Sequence, residues 1–457
     1  MTRRAALQAL AGLAASPVVA PRRTFGAGME LLAPPPAPSR RPEPGLLEVA
    51  LDARPAEVAV AERRASLWTY GGTFPGPLVR AQEGDTVRLR FRNRLPEATN
   101  LHYHGLHIPP TGRADNIWLR IEPGQTFDYE FTIPEGEGGT YWYHPHLHGT
   151  ISRQLWRGMA GPLVVESPVD AIPELAAADD RVVVLKDLAL VDGWPAPHEK
   201  RDWHMGKEGD LVLVNGALSP RLTARSGTVR LRLINASNAR YFRLGSDDGR
   251  PLHLITTDGH FLKEPVALDE ILLSPAQRAD LLVPLAGERP LALMHLPYDR
   301  RVTRLPLRPT PLLTLIPKPG AKPGPLPGRL LEPPPLRIAD ASVRRRVSMA
   351  MFHIDGKPFN PARLDTLAHL GDLEHWEIVN YGTMDHNFHL HTWYFQVAAH
   401  NGVPAPYPRW QDTVNLKPGD RVELLVPMRS YPGRTVYHCH ISEHGDKGMM
   451  AVIDVRG

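Results

Sequence analysis

The residues best suited to chemistry lie near the end of the chain, in the sequence RTVYHCHISEHGDKGMM. The single cysteine, Cys439, stands between His438 and His440, and His444 and Met449 follow it at five-residue steps. A thiolate beside imidazoles and a thioether is a ligand set for a soft or borderline metal ion. The spacing therefore predicts a metal site, and a lone cysteine can form no disulfide within the chain.

Three further groups of histidines have related spacing. They are HYHG (His102 and His104), HPHLHG (His144 and His146) and HNFHLH (His386, His389 and His391). In a strand, residues i and i+2 face one way and residue i+1 faces the other. Each His-x-His pair would thus present two imidazoles on one face, and four pairs would present eight, a number that a cluster of three copper ions could use.

The same alternation places Cys439 on the face opposite His438 and His440. The cysteine would then serve a second metal centre, which the backbone connects to the histidine cluster. Two histidines and a cysteine with a weak axial methionine form copper electron-transfer sites. The residues that fit this arrangement are His386, Cys439, His444 and Met449. Zinc is disfavoured because it does not change oxidation state and so could not exchange electrons through this connection. The chain also contains no Cys-x-x-Cys pair.

A single His-x-His pair is more often structural than metal-binding, but four pairs with the sole cysteine inside one make coincidence a poor explanation. His107 and His148 lie beside the motifs but off their pattern, so we expect them to support ligands rather than to bind metal. Asp385 directly precedes His386 and could orient that imidazole. Met450 is expected to pack in the core.

The composition is that of a soluble globular protein, since 42% of the 457 residues are hydrophobic and 22% are charged. The 48 prolines and 38 glycines favour turns, and alternating runs such as DTVRLRFRN and RVELLVP predict half-buried strands. Long amphipathic helices are scarce, so the predicted fold class is all-β. The net charge is only +4, and the one basic triplet, at 344–346, argues against nucleic acid as a partner.

One pattern occurs three times along the chain. GDTVRLRFRN (84–93), GTVRLRLIN (227–235) and GDLEHWEIVN (371–380) share a glycine, an alternating strand and a closing asparagine. Three copies of one β-sandwich fit the length at an ordinary domain size. The middle copy lacks the histidine pairs, and Pro145 aligns with Cys439, so only the last copy could build a thiolate site.

The predicted organisation has six parts. They are a twin-arginine-type signal peptide (1–20), a Pro-rich, disordered tether (21–45), a first domain (46–168), a second domain (169–317), a Pro-rich linker (318–336) and a third domain (337–457). Arg3 and Arg4 precede a short apolar run, the pattern of an export signal, and the alternative is a basic tail without a targeting role. No other segment approaches the roughly 18 apolar residues of a membrane span. We therefore expect export to the periplasm or outside the cell without a stable membrane anchor.

The four histidine motifs, in this order and with these internal spacings, resemble those of the multicopper oxidases, and the chain from about residue 45 looks like a three-domain bacterial laccase. The resemblance implies three cupredoxin-like Greek-key β-sandwich domains and four copper ions. Type 1 copper would lie in the third domain, and a type 2 ion with a type 3 pair would lie between the first and third. The implied ligands are His386, Cys439, His444 and Met449 (type 1), His102 and His389 (type 2), and His104, His144, His146, His391, His438 and His440 (type 3).

The resemblance also implies a reaction. Small phenols or aromatic amines would give up single electrons near His444, Cys439 would conduct them to the cluster, and dioxygen would be reduced to two waters. Asp115, in GRADN after the first motif, is the implied proton carrier, with an exposed loop aspartate as the alternative. Many bacterial relatives have an acid directly after the second type 1 histidine, where this chain has Gly445 and then Asp446, so the choice of proton relay stays open.

Other functions of the same fold also stay open. Relatives that oxidise cuprous ion commonly insert a Met-rich segment over the type 1 site, whereas LMHLPYDRRVTRLPLRPTPLLTL contains Met294 alone, which favours phenols over Cu(I) as the reductant. A non-enzymatic envelope scaffold would be expected to have degraded copper motifs, and all four are filled here. Copper storage would not need Cys439 between two cluster ligands, and a nitrite reductase would not need eight cluster histidines. We expect a monomer.

Overall fold

The structure, a computed structural model, describes residues 28–302 and 308–457. The signal peptide predicted at 1–20 lies outside these residues. Within the described ranges, no helix is long and apolar enough to cross a bilayer.

Short strands dominate the described chain, which confirms the all-β prediction. The first set is β1 (Ser39–Arg40), β2 (Leu46–Val60), β3 (Arg63–Tyr70), β4 (Val79–Gln82), β5 (Thr86–Asn93), β6 (His102–His104), β7 (Thr126–Thr132), β8 (Gly139–His144) and β9 (Gly161–Glu166). The second set is β10 (Asp179–Leu188), β11 (Leu190–Val191), β12 (Trp194–Pro195), β13 (Leu211–Val214), β14 (Ala217–Leu218), β15 (Arg221–Thr223), β16 (Thr228–Asn235), β17 (Phe242–Ser246), β18 (Leu252–Thr257), β19 (His260–Leu268), β20 (Glu270–Leu273), β21 (Arg278–Pro284), β22 (Leu291–Leu296) and β23 (Thr310–Ile316).

The third set is β24 (Val343–Ala350), β25 (His353–Ile354), β26 (Thr366–His369), β27 (Leu373–Asn380), β28 (His386–Leu390), β29 (Phe395–His400), β30 (Val403–Pro404), β31 (Trp410–Gln411), β32 (Thr413–Leu416), β33 (Arg421–Pro427), β34 (Gly433–Cys439) and β35 (Met450–Arg456). The helices are short: α1 (Ile151–Trp156), α2 (Pro173–Ala176), α3 (Asp202–Met205) and α4 (Ser442–Asp446), with 3₁₀ turns at Pro168–Ala171 and Ile338–Asp340.

Each set of strands forms two main sheets with a core that draws on both. The first set gives β1-β2-β5-β7, with β3 on β2, and β4-β9-β8-β6. The second gives β14-β13-β10-β16-β21-β18-β19 and β15-β23-β22-β17-β20. The third gives β25-β24-β27-β33-β29-β30, with β31 on β29, and β26-β35-β34-β28-β32. Two sheets that share a core form a β-sandwich, and we keep the domain boundaries read from the sequence as predictions.

The threefold sequence pattern corresponds to one repeated strand end. Each of these runs forms a strand that pairs in parallel with an earlier strand of its set: β5 with β2, β16 with β10 and β27 with β24. Their closing residues, Asn93, Asn235 and Asn380, are buried. In all three, Oδ1 accepts the backbone N–H two residues later and Nδ2 donates to two backbone carbonyls. The asparagine thus satisfies loop backbone groups that would otherwise be buried and unpaired.

The segment 28–45 is not the disordered tether that its composition predicts. β1 pairs with β2 of the first domain, while Glu30 forms a parallel bridge with Arg221 of the second. Leu31 is buried in the core of the second domain. Proline lacks a backbone donor but favours extended backbone, so a proline-rich segment can lie along a sheet edge. Here the prolines accompany an extended, packed chain.

Candidate metal centres

The histidine motifs pair within each outer domain before they meet between domains. β6 pairs with β8, which sets His102 opposite His144, and β28 pairs with β34, which sets His389 opposite His438. Each pairing places the alternating histidines of two strands on one face of a sheet. Local strand geometry therefore assembles four imidazoles in the first domain and four in the third.

The two sets of imidazoles meet in a buried histidine cluster between the first and third domains. The His102 ring stacks on His391 with centroids 4.0 Å apart, and the His104 ring stacks on His389 at 3.9 Å. Potential ligand atoms within 4.8 Å of one another form three groups made only of histidines, namely His102 with His104 and His389, His104 with His144 and His440, and His146 with His391 and His438. Each group combines residues of both domains.

Hydrogen bonds to the backbone determine which ring nitrogens are free in this cluster. The Nδ1–H groups of His144, His389 and His438 each donate to a backbone carbonyl at 2.9 to 3.0 Å. Their Nε2 atoms therefore carry lone pairs, and within the described chain those of His144 and His389 have no hydrogen-bond partner. Nε2 of His438 lies 3.1 Å from Nε2 of His146 and 3.0 Å from Nε2 of His391. Buried lone pairs that converge in this way fit a bound cation.

The cluster is held in the protonation state that binds metal. Burial is the largest cause of a lowered pKa for most of its rings, and repulsion between neighbouring imidazoles adds to it. Burial lowers the pKa of His144 to about 3. The rings whose pKa lies well below the usual value are His102, His104, His146, His391, His438 and His440. Neutral imidazole is the ligand form of histidine, so these rings need lose no proton to bind a metal.

A separate thiolate group consists of His386, Cys439 and His444. Sγ of Cys439 lies 3.7 Å from Nδ1 of His386 and 3.8 Å from Nδ1 of His444. Nε2–H of His444 donates to the backbone carbonyl of His204 at 2.9 Å, which leaves Nδ1 free to face the sulfur. Burial raises the pKa of the Cys439 thiol to about 12, so a metal ion bound here would displace a proton.

Met449 adjoins the thiolate group through its backbone. Its carbonyl accepts the N–H of Cys439 at 3.0 Å, and its N–H donates to the carbonyl of His444 at 2.9 Å. Its side chain is buried in the same core as Cys439. Met450 packs in a different cluster with Ile151, so its predicted place in the core is confirmed.

Asp115 is buried beside the histidine cluster and is not an exposed loop residue. Its carboxyl lies 2.9 Å from Nδ1 of His102 and accepts the N–H of Tyr103 at 2.9 Å. Burial raises its pKa to about 8. A carboxyl group that titrates near neutrality beside a cluster histidine is placed to exchange protons there.

Asp446 joins the third domain to the first. Its carboxylate accepts the N–H of Gly149 at 2.7 Å and both the N–H and the hydroxyl of Ser152, at 2.8 and 2.7 Å. Burial raises its pKa to about 6. At Gly445, a Cβ would lie 3.3 Å from the Cys439 carbonyl oxygen, so the glycine sits tightly against the thiolate strand.

Three charged residues that the motifs do not include hold the cluster in place. Oδ1 of Asp412 accepts from Nε2 of His104 at 3.0 Å, and Nδ1 of His104 has no hydrogen-bond partner in the part of the chain that the structure describes. Arg278 donates to both oxygens of Asp412, and Asp258 accepts the Asp412 N–H at 3.2 Å. Arg278 and Asp258 belong to the second domain, which thus supports the cluster without contributing a histidine. Their sequence signal is weak: charged residues among the apolar residues of predicted strands.

Comparison with known proteins agrees with this geometry. Three family profiles described as multicopper oxidase match residues 52–170, 191–289 and 332–457. Multicopper oxidase mco of Staphylococcus aureus is 30% identical over 398 residues, covering 84% of this chain and 83% of that protein. This chain belongs to the multicopper oxidase family.

Solved structures of multicopper oxidases share the architecture along more than nine tenths of this chain. The multicopper oxidase from Campylobacter jejuni, described as a metallo-oxidase, superposes with a TM-score of 0.87 at 28% identity over 95% of this chain and 96% of that one. A laccase-like multicopper oxidase CueO from Ochrobactrum sp., with oxidase activity towards lignin model compounds, gives 0.83 at 29% identity over 93% and 100%. Cell division protein FtsP of Escherichia coli is 32% identical over 452 residues, 93% of this chain and 92% of that protein.

The residues beside the motifs of this multicopper oxidase have varied roles. Nδ1–H of His107 donates to the carbonyl of Thr392 at 2.8 Å, and the His148 ring packs on Phe359 with centroids 4.5 Å apart. Neither histidine belongs to a ligand group in the described chain. The side chain of Asp385 contacts Tyr298 and Asn415 rather than the ring of His386, so the expectation that it orients that ring is wrong.

Proposed function

We propose that this multicopper oxidase is of the laccase type, oxidising phenols and aromatic amines and reducing dioxygen to water. The observation that supports this most is the combination of a buried thiolate group with three histidine groups in one chain. His438 and His440, which flank the Cys439 of the thiolate group, each belong to a histidine group. The HCH segment therefore connects the two kinds of centre through one residue of backbone on either side.

Four copper ions fit these donors. The proposed ligands are His386, Cys439, His444 and Met449 for type 1, His102 and His389 for type 2, and His104, His144, His146, His391, His438 and His440 for the type 3 pair. Bound copper would supply one-electron exchange with the reductant at the thiolate group and multi-electron reduction of dioxygen at the histidine cluster.

The protein itself would orient the copper ligands, exclude water from Cys439 and supply protons to the cluster. Burial of all three residues of the thiolate group keeps water from Cys439, whose backbone leads directly to cluster histidines. Asp412 fixes His104 through its carboxylate and His389 through its backbone carbonyl. Asp115 is the proposed proton carrier because its pKa of about 8 and its contact with His102 suit proton exchange at that edge of the cluster.

The surroundings of His444 favour an aromatic reductant. The Phe352 ring lies 6.0 Å from the His444 ring and 5.3 Å from the His204 ring, centroid to centroid. The His204 carbonyl covers the Nε2 edge of His444, so a phenol would approach this covering segment rather than the buried imidazole. Met294 is the sole methionine of the stretch where a Met-rich insertion would be expected, which disfavours Cu(I) as the main reductant.

Two relatives support alternative functions. The Campylobacter jejuni structure is described as a metallo-oxidase, which keeps cuprous ion as a second candidate reductant. Cell division protein FtsP is as similar in sequence as the oxidases, which keeps a non-enzymatic role in the cell envelope as a third candidate. We further propose export by a twin-arginine signal at 1–20, because Arg3 and Arg4 precede a short apolar run. Action as a monomer stays a prediction.

The deciding experiment is a copper count and visible spectrum of the reconstituted protein, with Cys439→Ser as the partner variant. We expect about four coppers per chain and an intense blue thiolate-to-copper band that the variant lacks, with about one copper fewer. Steady-state oxidation of 2,6-dimethoxyphenol and of Cu(I) then ranks the reductants. A colourless protein with little copper would favour the scaffold, and a kcat/KM for Cu(I) above that for the phenol would replace the laccase assignment.

A further inference from the structure

Arg300 is a buried cation that the copper motifs do not account for. Its side chain is 2% exposed. Nε donates to Glu208 at 2.7 Å and Nη2 donates to the carbonyl of Met205, while Nη1 has no hydrogen-bond partner among the described residues. A buried guanidinium with an unused N–H group destabilises the fold unless another interaction offsets it. Its position therefore suggests a role beyond local packing.

Arg300 holds the segment that covers the thiolate group. Met205, whose carbonyl accepts from Arg300, directly follows His204 in α3. The carbonyl of His204 accepts Nε2–H of His444, which fixes that ring with Nδ1 facing the sulfur. Loss of Arg300 would free one end of α3 and, with it, the partner of His444.

The guanidinium also lies close to the thiolate strand. A Cβ placed on Gly206 would be 3.3 Å from Nη2 of Arg300 and 2.9 Å from Cγ2 of Ile441. Gly206 thus separates the cation from Ile441 by little more than its own backbone. Ile441 is two residues from Cys439, so the buried guanidinium lies close to the segment that carries the thiolate.

The carboxylate that pairs with this charge is that of Glu208, 2.7 Å from Nε of Arg300. Glu208 is shared with a second arginine, Arg240, at 3.4 Å, and is more exposed than Arg300. Glu443, next to His444 in the chain, is buried and hydrogen-bonded to His198 and Asn238.

We propose that Arg300 raises the reduction potential of the thiolate group and positions α3 over His444. The proposal rests on the proposed function, since it requires copper at His386, Cys439 and His444. A fixed positive charge in a low-dielectric interior disfavours the more highly charged, oxidised state of a neighbouring centre. A higher potential would widen the range of phenols that can reduce the site, which makes Arg300 a specificity-determining residue.

The test compares reduction potentials of the blue band in copper-loaded protein by redox titration. Arg300→Met should lower the potential because it removes the cation, and Glu208→Gln should raise it because it removes the compensating anion. Arg300→Lys keeps the charge and should shift the potential less than Arg300→Met. Arg230→Met is the control, since Arg230 is buried to the same degree but pairs with Asp170 and Asp280.

Opposite shifts in Arg300→Met and Glu208→Gln, with no shift in Arg230→Met, would establish the electrostatic role. Shifts of the same sign, or none, would overturn it and leave Arg300 a structural residue. If Arg300→Met does not fold, Glu208→Gln and Arg300→Lys decide the question alone. A wild-type protein without a blue band would instead refute the proposed function and, with it, this inference.

Discussion

Arg278 donates to both carboxylate oxygens of Asp412, at 3.0 and 2.7 Å, and both side chains are buried. Burial would raise the pKa of Asp412, but Arg278 and His104 hold it well below its usual value. The carboxylate is therefore charged at neutral pH and anchors a cluster histidine to the second domain. The second domain, which contributes no histidine to the cluster, thus helps to fix the geometry of the cluster.

Replacement of Asp412 should damage both stability and the cluster. Asp412→Asn removes the closer of the two carboxylates that face Arg278, because Asp258 stays 3.5 Å away, and breaking a buried ion pair typically costs about 3–5 kcal/mol in the free energy of unfolding. We expect reduced copper at the cluster and an intact blue band, measured by denaturant unfolding, copper analysis and absorption. Asp420→Asn, at a more exposed ion pair with His400, is the control. Equal stability in the two variants would contradict this account.

A comparison of variants at Met449 and Met450 should distinguish axial copper ligation from core packing. Met449→Leu should keep the blue band, because Cys439 and both histidines remain, but raise the reduction potential, because a weak axial donor to the oxidised state is lost. Met450→Leu, which changes a neighbouring core residue, should leave the potential unchanged. Each volume-conserving swap should cost less than about 1.5 kcal/mol of stability. An identical redox titration for Met449→Leu and wild type would rule out axial ligation.

Loss of the buried carboxyl at Asp115 should slow turnover without removing copper. Asp115→Asn keeps an acceptor for the Tyr103 N–H but cannot exchange protons, so aerobic kcat should fall by about 10²-fold or more. Anaerobic reduction of the blue site by a phenol should keep its rate. Asp128→Asn, on an exposed carboxylate, serves as the comparison. Aerobic turnover within twofold of wild type would remove Asp115 from the reaction.

A buried lysine should make stability rise at alkaline pH. Lys186 donates to the Ala236 carbonyl at 3.2 Å, and burial lowers its pKa to about 8. The unfolded chain then binds more protons than the folded one between about pH 8 and 10.4, so the free energy of unfolding contributed by this group increases across that window.

Substitution of Lys186 tests that slope. Lys186→Met should flatten the rise and stabilise the protein at pH 7 by up to about 3 kcal/mol, as judged from the pKa shift. Urea unfolding at pH 7 and pH 10 measures both effects. Lys263→Met, on an exposed lysine, should change neither. A destabilised Lys186→Met protein at pH 7 would mean that the hydrogen bonds of the lysine outweigh its burial.

The candidate ligands could be read from the sequence because the rule that places them is local. Alternation along β34 separates Cys439 from His438 and His440 whatever the rest of the fold does. Family resemblance also supplied Asp115, whose position in a loop gave no indication of burial. The structure shows it against His102.

The supporting residues could not be read in the same way because they act across domains. Arg278 and Asp412 are 134 positions apart, and only the docked fold brings them together. The partner of His444 is a backbone carbonyl, at His204, which has no sequence signature. Proline content alone cannot distinguish a disordered tether from an extended, packed segment. The burial of Leu31 shows that the segment is packed.

Every group in the histidine cluster takes donors from the first and the third domain, so neither domain alone offers a complete set. Metal affinity is then a property of the interface between these two domains, and a bound ion would hold them together. Ions that bind only when the two domains are docked stabilise the docked state by mass action. A chelator should therefore weaken the interface before either domain unfolds. Copper retention should therefore report the stability of the interface between the first and third domains.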